Sequence, residues 1–160
     1  LTGKGFYYQQ PKYFEQALSK AKANGGKKEE ISALKAFGMF YLYQGNYNDA
    51  LTKLKEAERL SAARYKEKDE GAVIAAIDDS NKRNSNNLAE SVKLGNTYME
   101  IVHYRIPILL LLGETYLQQN NAEESLIHFK KASAIATQIY KEESKAIIQL
   151  GISLFVDPSL

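Results

Sequence analysis

The sequence predicts an all-α fold built of antiparallel helix pairs, and three observations carry that prediction. Apolar residues recur with helical spacing along almost the whole chain, while strand-like alternation is nearly absent. Clusters of turn-forming residues interrupt the pattern at "NGG" (24–26), "QGN" (44–46), "DDSNKRNSNN" (78–87) and "QQNN" (118–121). Residues 34–57 also return at 109–132 without a gap.

Helices are expected, in order, at about 11–23, 28–44, 47–66, 69–79, 85–104, 106–119, 122–140 and 142–155. The turn clusters separate the first helix from the second, the second from the third, the fourth from the fifth, and the sixth from the seventh. Glu123, Glu124, Glu142 and Glu143 stand at expected helix starts, where carboxylates complement the helix dipole. Gly38 falls inside the first apolar stripe of 28–44, although a glycine there costs up to about 1 kcal/mol relative to alanine. A close helix crossing at Gly38 and Ala50 offsets that cost by letting Phe37, Tyr41, Leu54 and Ala57 interlock around it.

The recurrence makes the crossing a repeated feature. It places Gly38 on Gly113, Tyr41 on Tyr116, Ala50 on Ser125, Leu54 on Phe129 and Ala57 on Ala132. A third echo, "IIQLGISLF" from 147, sets Gly151 on Gly113. Gly113 follows Gly38 by 75 residues and precedes Gly151 by 38, so the period is about 38 and a hidden copy should carry its small residue at Ala75 or Ala76. "NNLAESV" at 86–92 matches "NNAEESL" at 120–126 and supports that middle copy. "LGNTY" at 94–98 also looks like the start of a unit, but Gly95 is too close to Gly113 for a hairpin to fit between them. The expected array is a flanking helix at 11–23, units at 31–64, 68–105 and 106–143, and a terminal helix at 144–156.

Leu34, Phe37, Gly38, Tyr41, Ala50, Leu54 and Ala57, with Leu109, Leu112, Gly113, Tyr116, Ser125, Phe129 and Ala132, form a pattern that resembles the tetratricopeptide repeat family, in a longer-period variant. The resemblance implies a right-handed superhelix of stacked antiparallel helix pairs, about three repeats plus flanking single helices, with the first helix of each pair on the inner wall. It implies a partner-binding groove lined by Lys35, Met39, Leu42, Tyr43, Leu110, Glu114, Leu117, Gln118, Ile148 and Ile152. Ser32 and Pro107 are further positions on that wall, and Ala72, Ala76 and Asp79 belong to the middle unit. The departures are instructive. No tryptophan stands at Leu34 or Leu109, and Ala62 and Thr137 replace the usual proline. The pairing of lysine with asparagine that holds chaperone tails is absent, since Lys35 is followed by Met39 and Leu110 by Glu114.

Composition narrows the function classes. With 44% hydrophobic and 25% charged residues and three prolines, the chain is a soluble globular protein rather than a disordered one. Its 21 basic and 19 acidic side chains are interspersed, without the basic stripe of a nucleic-acid binder. The apolar run "IPILLLL" (106–112) is too short to cross a bilayer, which takes about 20 residues. The chain has no cysteine and its two histidines, His103 and His128, stand on different helices with no histidine or carboxylate four residues after either, so no cofactor or metal is expected. No catalytic motif is present, and the tyrosines of "FYLYQGNY" are mostly core positions rather than a stacking platform.

The expectation is therefore a non-catalytic protein-interaction scaffold that binds a protein or peptide ligand in the concave groove. The alternatives are a peptide-sensing regulatory domain and an oligomer-building module that self-associates through the apolar C-terminal helix, where Phe155 and its neighbours cover most of the circumference. The start at Leu1 suggests a processed or excised piece. The compartment is open, with cytoplasm favoured over periplasm or a surface anchor.

Overall fold

Turns of a single design organise the chain. The computed structural model describes residues 4–64 and 99–137. Helix α1 spans Lys4–Ala23, α2 Lys27–Tyr43, α3 Tyr47–Arg64 and α4 Ile106–Gln118, and α5 covers 122–137. No strand occurs among the described residues. The fold is all-α, as expected.

The turn after α2 puts Gly45 at φ 74° and the turn after α4 puts Asn120 at φ 60°, a left-handed conformation that glycine and asparagine adopt most readily. In the first, the N–H of Gln44 bonds the carbonyl of Phe40, that of Gly45 bonds Leu42, and that of Asn46 reaches back to Tyr41. In the second, Gln119 bonds Thr115, Asn120 bonds Leu117, and Asn121 reaches back to Tyr116. Every bond is repeated 75 residues later. The caps repeat as well, because Asn46 Oδ1 accepts from the Asp49 N–H and Asn121 Oδ1 from the Glu124 N–H. Between α1 and α2, Gly25 at φ 69° makes a shorter version of the same turn.

The helix crossings repeat with the turns. A Cβ on Gly38 would lie 2.5 Å from Leu54 Cγ, and one on Gly113 would lie 2.6 Å from Phe129 Cε1. The missing side chains are what let the paired backbones close. Ser125, in the place of Ala50, turns its hydroxyl onto the Gly113 carbonyl at 2.8 Å and so stays satisfied while buried. Around the first crossing Phe37 stacks on Tyr41 and on Phe14 of α1, with ring centroids 4.7 and 5.4 Å apart. Leu34, Leu54, Ile108 and Leu112 join one core that runs from α1 to α4.

Two expectations change. Helix α1 begins at Lys4 rather than at 11, and Pro11 lies inside it. Proline removes a single backbone donor, which did not end this helix. The break expected at residue 105 is also missing: residues 99–118 run on without a turn, through a π-helical stretch at Ile101–Arg105 in which the Ile106 N–H bonds the Ile101 carbonyl. Pro107 cannot donate to the carbonyl of His103, and the wider π winding shifts the bonding just before that defect.

Helix α3 packs directly on α4 in antiparallel fashion. Gln119 donates to Asn48 at one end (2.9 Å), and Arg64 pairs with Glu100 at the other (3.0 Å). Between them Glu58 Oε1 receives both Arg105 and Lys131, each at 3.1 Å, and so joins α3, the π-helical stretch and α5. The expected middle unit at 68–105 lies outside the described residues except for 99–105, as does the terminal helix at 144–156.

Candidate functional site

The residues expected to line a groove take three different places. Met39, Tyr43, Leu110 and Leu117 are exposed, Tyr43 at 71%. Gln118 is exposed and Glu114 half-buried. Leu42 is a correction, because it is only 5% exposed and belongs to the core. It continues the inward stripe of Leu34 and Gly38 at four-residue steps, and Tyr43 takes the outward position at that end of α2. Ile148, Ile152, Ala72, Ala76 and Asp79 lie outside the described residues.

Lys35 is half-buried and engaged within the chain. Its ammonium donates to the His103 carbonyl at 3.1 Å and lies 5.3 Å from the centre of the Tyr104 ring. Burial holds its pKa below the ordinary lysine value. The side chain expected to meet a ligand thus ties α2 to the π-helical stretch.

That tie brings Tyr104 over a groove the sequence did not announce. A cavity of about 790 Å³ opens between α1 and α2. Ala17 and Ala21 of α1 and Ala33 and Ala36 of α2 form small-residue walls, with Phe14 and Tyr104 as the aromatic elements. Lys20, Lys28 and Glu29 stand at the end beside the Asn24–Gly26 turn. Of the expected groove positions, Ser32 alone lines it. Alanines three and four residues apart on helices joined by a tight turn were the available signal. The contribution of Tyr104 depends on the passage through the π-helical stretch and has no sequence signal.

Glu29 lines the cavity at the start of α2, with its carboxylate folded into the space that a Cβ on Gly26 would fill. A carboxylate there is stabilised by the helix dipole. Among the described residues, no three His, Asp or Glu side chains converge as metal ligands, and no helix is long and apolar enough to cross a membrane.

In comparisons with known proteins, no family model, no curated protein and no solved structure matches this chain.

Proposed function

We propose that this chain is a non-catalytic interaction module that holds a segment of a partner protein in the groove between α1 and α2. The observation that carries the reading is the groove itself. It has the volume of a ligand site and mainly apolar walls, with Lys20, Lys28 and Glu29 gathered at one end, which is the usual make-up of a recognition cleft. The exposed Met39, Tyr43, Leu110 and Leu117 add apolar surface for a larger partner. A tetratricopeptide-like superhelix is the architecture we infer for the complete array, supported by the 75-residue recurrence of turns, caps and crossings.

Selection of a peptide library on the full chain tests the reading. Selected peptides should bind with Kd in the micromolar range, about −8 kcal/mol, and should lose binding to Ala36→Arg, which fills the groove. Selected peptides that bind Ala36→Arg as well as the wild type would place the interaction elsewhere.

A further inference from the structure

We infer that the groove is built for an amphipathic helix whose apolar stripe is flanked by carboxylates; this rests on the interaction-module reading above. The first argument concerns backbone bonding. The groove walls are helices, whose inner N–H and C=O groups are bonded within α1 and α2. An extended peptide laid on them would have few main-chain partners and would leave its own amides unpaired as water is expelled. A helix arrives with those groups satisfied.

The walls fit that shape. Ala17 and Ala21 lie one turn apart on α1, and Ala33 and Ala36 lie on the facing side of α2. Small side chains on both sides let a third helix settle at the interaxial distance of about 8–10 Å at which packed helices interlock.

Charge selects the flanks. Lys20 and Lys28 both border the groove, and neither makes a hydrogen bond or ion pair with a described residue. Lys20 has a structural role open to it, since it stands in the last turn of α1, where a cation suits the dipole. Lys28 has none. It stands in the first turn of α2, the unfavourable end for a cation, while its neighbour Lys27 is already paired with Glu30 at 3.1 Å. Glu29, the one acidic group on the groove, is folded onto the start of α2. The lining therefore carries two lysines, neither paired with a described residue, against one glutamate, and a helix with flanking glutamates or aspartates complements that excess of positive charge.

Three synthetic peptides of about 15 residues, long enough for a few helical turns, test this. They share one leucine stripe at helical spacing and carry Glu, Gln or Lys at the flanking positions. Fluorescence anisotropy with the full chain should rank them Glu, then Gln, then Lys, with the Glu peptide favoured over the Lys peptide by about tenfold or more at low salt. Lys28→Glu leaves Lys20 facing a single new carboxylate and should remove most of the preference for the Glu peptide over the Lys peptide, and Ala36→Arg should abolish binding of all three. Equal binding of the three peptides, lost in Ala36→Arg, would overturn the charge inference and leave the groove reading intact. Binding unaffected by Ala36→Arg, or no binding by any peptide, would overturn both.

Discussion

The Lys35 ammonium donates to the His103 carbonyl at 3.1 Å, and that carbonyl is the one an α-helical N–H at position 107 would bond if residue 107 were not proline. A defect in one helix is thus occupied by a side chain of another. Lys35→Met keeps most of the stem and removes the donor, so it should lower stability by about 1–2 kcal/mol in urea unfolding. In a Pro107→Ala background the helix can satisfy His103 itself, and the same substitution should cost at least ~0.5 kcal/mol less. Equal costs in the two backgrounds would mean that the lysine does not compensate for the proline.

Gly38→Leu should lower Tm by about 5–10 °C, because the added side chain meets Leu54 at the crossing. Gly113→Leu should do the same against Phe129. An unchanged Tm for both variants in a thermal scan would contradict the close crossings.

Glu58→Gln should cost about 1–3 kcal/mol at neutral pH, since it removes the charge from a carboxylate that bonds both Arg105 and Lys131. Burial works to raise the Glu58 pKa, but the bonds from Lys131 and Arg105 together hold it below the ordinary 4.5. Its contribution is therefore complete above that value and is lost as pH falls through the depressed folded-state pKa. The gap between wild type and variant should narrow in acid, and denaturant midpoints that differ equally at every pH would rule the charge out as its source.

Asn120→Gly should be neutral or mildly stabilising, whereas Asn120→Val should cost about 1–2 kcal/mol, because a β-branched residue is forced to a positive φ. Equal midpoints for the two variants in chemical denaturation would remove the left-handed turn from the account.

What could be read from the sequence is what local chemistry fixes. Gly38 and Gly113, the "QGN" and "QNN" turns and the inward faces of α2 and α4 were all legible, because a left-handed residue and a missing side chain leave a direct mark at one position. The passage through 105 was not. Arg105 and Pro107 look like a boundary, yet the helix runs through, and the His103 carbonyl there is met by Lys35 from α2, a contact far off in sequence. Leu42 and its counterpart Leu117 were both placed on the ligand face by the repeat resemblance, although the two differ in exposure, 5% against 51%. Copies related by sequence need not have the same neighbours. The groove was missed for the same reason: alanines acquire meaning only when Phe14 and Tyr104 have been put around them.

Arg105 and Lys131 end on the same oxygen of Glu58, so two helices are moored to a third through one atom. Tension applied along either mooring bears on the other, and a pull that draws Lys131 away leaves Arg105 to carry the strain. Loss of that one carboxylate therefore loosens both attachments at once.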